Sequence, residues 1–267
     1  MARPVVVDDA GDPRLADYVG LTDAALRRRV EHGRGVFIAE GELVIRELLA
    51  SSYEVRSVLV TPARLARLED VVTLIDAPVF VAPPAVLEAV AGFALHRGAV
   101  AAASRPAAVA PEALLAGART VAVLEGLNDH ENIGTLFRNA AALGVDAVLL
   151  SPTTADPLYR RSVRVSMGCV LRIPFATLAP WPDALATITA AGFELVALTP
   201  GADAEPVTVL DDLTGPVALL LGAEGPGLTA GALRAARRRI RIPMRAGVDS
   251  LNVATAAALA FHRLRRV

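Results

Sequence analysis

Short apolar runs rich in β-branched residues recur along the chain. They are separated by longer segments in which apolar positions return every three or four residues. The runs at 36–39, 55–60, 78–82 and 99–103 predict four strands, and those at 120–125, 146–150, 172–176, 194–199, 217–222 and 239–243 predict six more. Between them, "GELVIRELLAS", "NIGTLFRNAAALG", "DPLYRRSVRVSMG" and "LNVATAAALAFHRL" carry a helical period. Strands alternating with helices at this spacing argue for an α/β fold with a mainly parallel sheet. Residues 104–118, "SRPAAVAPEALLAGA", bring prolines, few bulky apolar side chains and no strand signal, so they read as a linker with room for one short helix. The expected organisation is an N-terminal domain over 1–103, the linker, and a C-terminal domain over 119–267. No internal repeat stands out.

Composition narrows the class. Hydrophobic residues make up 54% of the 267 positions and charged residues 21%, which excludes general disorder. Mean hydropathy is +0.46. Yet the longest stretch free of Asp, Glu, Lys and Arg is Ser250–His262, well short of the roughly 20 residues that span a bilayer. The opening "MARPVVVDDAGDPRL" has no apolar core of a secretory signal. The single cysteine, Cys169, can form no internal disulfide, and neither it nor the four histidines suggest a metal site. A cytoplasmic protein without membrane or metal is expected. Net charge is −1, so the chain is no general polycation, although all 27 basic residues are arginine. Arginine suits phosphate forks and base stacking. A GC-rich genome would give the same bias, and composition does not separate the two.

Side-chain amides are the scarcest polar groups. There is no glutamine, and the four asparagines are Asn128, Asn132, Asn139 and Asn252. Three lie in "NDHENIGTLFRN", at the C-terminal end of a predicted strand, where ligands bind in open α/β sheets. Asn132 stands where a helix N-cap is expected, and capping remains open as its only role. Ser250 or Asp249 can cap the last helix in the same way. "LLLGAEGPGL" sets Glu224 between glycines after a buried strand, a turn that lets backbone approach a ligand. The Ala-, Thr- and Val-rich segment after Asn252 must pack very closely against a neighbour.

Taken together, in this order and spacing, these stretches resemble the three motifs of the SpoU/TrmH-type RNA ribose 2′-O-methyltransferases of the SPOUT superfamily. Asn132, Gly134 and Arg138 match the first motif. Gly222, Glu224 and Gly225, followed by Gly227 and Leu228, match the second. Ile242, Pro243, Met244, Ser250, Leu251, Asn252 and Val253 match the third. The likeness covers about residues 120–267, while 34–103 look more weakly like the small α/β substrate-binding domain found ahead of it. His130, Ala246 and Ala254 depart from residues frequent in the family.

The resemblance implies a parallel sheet with a deep trefoil knot, a homodimer whose site is completed across its interface, and S-adenosylmethionine as methyl donor. It implies cofactor contacts from Leu198, Thr199, Gly222, Ala223, Gly227, Ile242, Met244 and Leu251. For catalysis it implies Asn132, Arg138, Glu224, Ser250 and Asn252. A guanidinium is a poor base, so the expected role of Arg138 is to bind a phosphate and stabilise the developing alkoxide. Glu224 or a phosphate oxygen would take the proton, Asn132 and Asn252 would hold the ribose, and Ser250 would position the loop of Asn252. The target would be RNA, ribosomal before transfer RNA. Arg27, Arg28, Arg29 and Arg34 in "LRRRVEHGRG" are candidate RNA contacts, whereas some of the arginines of 233–242 should pair with acids. Two rivals stand beside this reading. A Rossmann-type enzyme would need an early GxGxxG, which is absent. A non-catalytic RNA-binding protein of the same fold is the other.

Overall fold

A computed structural model describes residues 4–21, 33–95, 97–248 and 250–265. The chain divides into two compact units, one of 1–107 with Leu158–Leu171 and one of Ala108–Pro157 with 172–267. The segment 158–171, expected from sequence in the C-terminal domain, thus groups with the first unit.

The first unit is built on five strands: β1 (Val5–Val6), β2 (Val36–Glu40), β3 (Val55–Val60), β4 (Val79–Val81) and β5 (Ala99–Ser104), in the order β1-β4-β3-β5-β2. β5 runs antiparallel to both β2 and β3, so this sheet is mixed, within the expectation of mainly parallel pairing for the chain as a whole. Helices α1 (Glu42–Leu49), α2 (Pro62–Val72) and α3 (Pro84–Ala91) follow β2, β3 and β4, the last two opened by a proline in the first turn.

The inserted segment has a physical anchor in this unit. Glu40 ends β2 with only 4% of its surface exposed. Its Oε2 lies 2.6 Å from Arg160 Nη1 and its Oε1 3.6 Å from Arg164 Nη1. Arg160 and Arg164 sit on a short helix, here α6 (Arg160–Val165). The Arg160 guanidinium also lies 4.6 Å from the centroid of the Phe93 ring. A helical period in "DPLYRRSVRVSMG" does not say which sheet the helix serves, and the ion pair does.

The second unit opens with α4 (Pro111–Leu115), the short helix of the 104–118 stretch, whose Leu115 is buried in this unit's core. Then come β6 (Thr120–Glu125), α5 (His130–Leu143), β7 (Ala147–Leu150), β8 (Phe175–Thr177), α7 (Leu185–Ala190), β9 (Glu194–Leu198), β10 (Glu205–Pro206), β11 (Val217–Gly222), α8 (Ala230–Ala235), β12 (Arg238–Arg241) and α9 (Val253–Leu264). The sheet order is β10-β12-β9-β11-β6-β7-β8, and the pairing is parallel throughout. The chain leaves β6 toward β7 and β8, then returns to fill the other side, so β6 and β11 flank the switch point. Glu125 pairs with Gly222 at their ends. That is where an open parallel sheet binds its ligand.

Both long helices start differently from the sequence expectation. Asp129, not Asn132, caps α5, accepting from the Glu131 amide at 2.6 Å and the Asn132 amide at 3.4 Å. The helix begins a turn earlier, which leaves the Asn132 side chain free to reach sideways. Asn252 caps α9, accepting from the amides of Ala254 at 3.0 Å and Thr255 at 3.2 Å. Ser250 therefore is not the cap, and Asp249 lies outside the described residues. α9, which buries Ala254, Ala257 and Ala260, packs on α5, and Asn139 Nδ2 donates to the Ala254 carbonyl at 2.9 Å. Two of the three arginines of β12 pair with acids, Arg238 with Glu194 and Glu205 and Arg239 with Asp203, while Arg241 donates to the Ala204 carbonyl. Among the described residues, no helix is long and apolar enough to cross a membrane.

Removing one partner of a buried ion pair costs about 3–5 kcal/mol, against at most about 1 for an exposed pair. Glu40→Gln should therefore lower stability in urea denaturation by about 3 kcal/mol. Arg34→Ala, which breaks the more exposed pair with Asp17, should change it by less than about 1.

Candidate active site

Four loops leave the C-terminal ends of β6, β9, β11 and β12. The loop after β11 is shaped by glycine. A β-carbon on Gly222 would stand 2.5 Å from both the carbonyl carbon of Gly227 and the nitrogen of Leu228. The chain can therefore fold back on its own strand end, with Gly225 at φ +86° and Gly227 at φ +68°, and the Gly227 amide donating to the Ala223 carbonyl at 3.0 Å. Glu224 is carried out at the tip.

There it meets two of the scarce amides. Asn132 Nδ2 donates to Glu224 Oε1 at 3.0 Å, and Asn252 Nδ2 donates to the same oxygen at 3.0 Å and to Asn132 Oδ1 at 2.7 Å. With Asn252 Oδ1 committed to the α9 cap, both amides are held in one orientation. Glu224 Oε2 has no protein partner among the described residues and can accept from an incoming hydroxyl.

On one side of this cluster lies a cavity of about 600 Å³. Leu198, Thr199, Gly222, Ala223, Gly227, Ile242, Met244 and Leu251 all line it, together with Glu224, Ser250 and Asn252. Ser250 makes no hydrogen bond to Asn252. The orientation of Asn252 comes from Asn132, Glu224 and the helix it caps, which replaces the expected role of Ser250. On the other side lies a second cavity of about 600 Å³, lined by Asn128, Glu125, Trp181 and Asn132 among others and sharing Glu224 and Val253 with the first.

Arg138 does not join the cluster. It is exposed on α5 and makes no ion pair among the described residues. Six residues on from Asn132, it sits about 9 Å further along the helix and about 120° around it. Arg27, Arg28 and Arg29 lie outside the described residues, and Arg34 pairs with Asp17 at 2.9 Å.

Sequence reasoning missed Glu125. Its side chain is buried and accepts from Trp181 Nε1 at 2.6 Å, the Thr229 amide at 2.8 Å and the Thr229 hydroxyl at 2.7 Å. It ties the loops after β6, β8 and β11 together. The signal was a carboxylate closing the apolar run "TVAVLEG", and the chain's only tryptophan. Among the described residues no group of three or more His, Cys, Asp or Glu side chains could hold a metal.

Residues 119–262 match the SpoU rRNA methylase family. The chain is 50% identical to a protein of Mycobacterium tuberculosis named as an uncharacterized tRNA/rRNA methyltransferase, over 97% of this chain and 91% of that one. It is 33% identical to a 23S rRNA guanosine 2′-O-methyltransferase of Bacillus subtilis, over 58% of this chain and 61% of that one. The crystal structure of an AdoMet-bound rRNA methyltransferase from Sinorhizobium meliloti superposes with a TM-score of 0.83 at 26% identity, covering 98% of this chain and 97% of that one.

The cluster yields a stability test. Asn252→Asp keeps an oxygen for the α9 cap but sets a second carboxylate against Glu224. Like charges at this range raise a carboxyl above its ordinary value of about 4, so the folded variant binds protons more readily than the unfolded chain. Its stability deficit against wild type should be largest at neutral pH and shrink as pH falls toward 4. A pH-independent deficit, measured by urea denaturation, would show that the two groups do not face each other.

Proposed function

The chain belongs to the SpoU rRNA methylase family, and so is an RNA methyltransferase, and on that premise we propose that it transfers the methyl group of S-adenosylmethionine to a ribose 2′-hydroxyl of structured ribosomal RNA. The observation that carries the reading is the Asn132–Glu224–Asn252 cluster, two of whose members, Glu224 and Asn252, stand in the wall of a cavity lined by every residue expected to hold the cofactor. The cavity fits that group by volume and by its lining, in which the apolar Leu198, Ile242, Met244 and Leu251 stand beside the backbone of Gly222, Ala223 and Gly227. Bound there, S-adenosylmethionine supplies a methyl group on a sulfonium, a good leaving centre.

The chain's own residues then have two tasks. Ile242, Met244 and Leu251 shield the cavity, and the loops after β9, β11 and β12 fix what enters it. Alignment of this kind is worth up to about 7–11 kcal/mol. Asn132 and Asn252 hold Glu224 still, and its free Oε2 accepts the proton of the ribose hydroxyl as the oxygen attacks. Such base assistance contributes about 10²–10⁴-fold. A 2′-hydroxyl target also selects RNA over DNA.

Arg138 acts from a second copy of the chain in this reading, binding phosphate beside the target in the partner's site. Its distance from Asn132 along α5 and its lack of an ion-pair partner support that arrangement. The reading also includes a trefoil knot around the cofactor cavity and an RNA-binding role for the N-terminal domain in the cytoplasm.

Methyl-labelled S-adenosylmethionine and under-methylated total RNA, followed by digestion to nucleosides, test the reaction. Label is expected in a 2′-O-methyl nucleoside from ribosomal RNA, reduced about 10²-fold or more by Glu224→Gln and lost in Arg138→Ala. Label in transfer RNA would move the substrate, and label on a base would overturn the ribose assignment. No transfer with cofactor binding intact would favour an RNA-binding protein of the same fold. Mixing Arg138→Ala with Glu224→Gln protein should restore part of the activity, because one of the two mixed sites is then intact. Failure to complement would place Arg138 in its own chain's site.

A further inference from the structure

The second cavity is absorbed by none of these roles, and we propose that it receives the base of the target nucleotide, with guanine preferred. The inference rests on the reading that a ribose hydroxyl is methylated at Glu224. A ribose held against Glu224, which lines both cavities, has one of them on either side of it. The cofactor occupies the first, so the base turns into the second, which is large enough for a purine.

Charge separates base from phosphate. Glu125, Asp129 and Glu224 line the second cavity, and among the described residues no arginine or histidine does. A phosphate is repelled there, while a neutral base is not. Its lining includes Trp181, whose indole is fixed by the 2.6 Å hydrogen bond from Nε1 to Glu125. An immobilised aromatic is a stacking platform, typically worth about 1–3 kcal/mol per base.

The polar groups left over favour donor edges. Asp129 uses only Oδ1 to cap α5, which leaves Oδ2 without a protein partner among the described residues. The exposed Asn128 amide likewise has none. Guanine offers N1–H and N2–H₂ side by side, a pair of donors that a carboxylate can accept together. Uracil offers one N–H between two carbonyls, which a carboxylate repels.

Trp181 is the only tryptophan, so its fluorescence reports on this cavity directly. The experiment titrates wild-type protein, with the first cavity filled by S-adenosylhomocysteine, with pentauridylates carrying guanine, uracil or an abasic site at the centre. Saturable quenching is expected with guanine, at an affinity at least about tenfold above the uracil and abasic oligonucleotides. Asn128→Ala should reduce the guanine preference about tenfold without changing S-adenosylhomocysteine affinity measured by calorimetry. Equal binding of the guanine and abasic oligonucleotides would overturn the proposal, as would quenching that S-adenosylhomocysteine abolishes. No step of this experiment requires methyl transfer. Base-dependent quenching without ribose methylation would sink the proposed reaction and keep the base site. Ribose methylation without base-dependent quenching would do the reverse.

Discussion

A β-carbon at residue 222 would overlap the backbone of residues 227 and 228, so the loop leaving β11 doubles back on its own strand end only because that residue is glycine. Everything at the site hangs from this close approach. It turns the chain sharply enough to carry Glu224 over the end of the parallel sheet, where α5 and α9 bring Asn132 and Asn252. The carboxylate then accepts two amide hydrogen bonds on one oxygen and keeps the other open. Because the amides also bond each other and one of them caps α9, the geometry of the site and the start of a core helix are a single arrangement. Preorganised donors of this kind need no rearrangement when a substrate arrives.

Much of this was legible in the residues. Period-two and buried apolar runs located ten strands to within a few residues, and the scarcity of amides pointed to Asn132 and Asn252. The helix starts were misjudged, because Asp, Asn and Ser all cap well and only three-dimensional neighbours decide between them. Asp129 took the cap at α5, so Asn132 was spared for Glu224. At α9 the cap and the site use opposite ends of one side chain, which no spacing rule anticipates. Asn139 belongs to the amide-rich stretch by sequence but to helix packing by structure, through the Ala254 carbonyl.

Long-range pairing was the least visible. The two-residue strands β1 and β10 are too short for any periodicity to register. The segment around Arg160 reads as another helix of the C-terminal domain until Glu40 is seen to hold it. Glu125 is the comparable case at the site, a buried carboxylate whose three donors come from 56 and 104 residues away. Arg138 is legible by motif and unexplained within one chain, which is why a second copy enters the account.

In the proposed reaction the cofactor cavity presents the methyl group to the Asn132–Glu224–Asn252 cluster. A crystal structure with S-adenosylhomocysteine tests it most directly. The thioether sulfur is expected to face Glu224, with the adenine held toward Leu198 and Ile242. Adenine against the cluster, with the sulfur at the far end of the cavity, would contradict it.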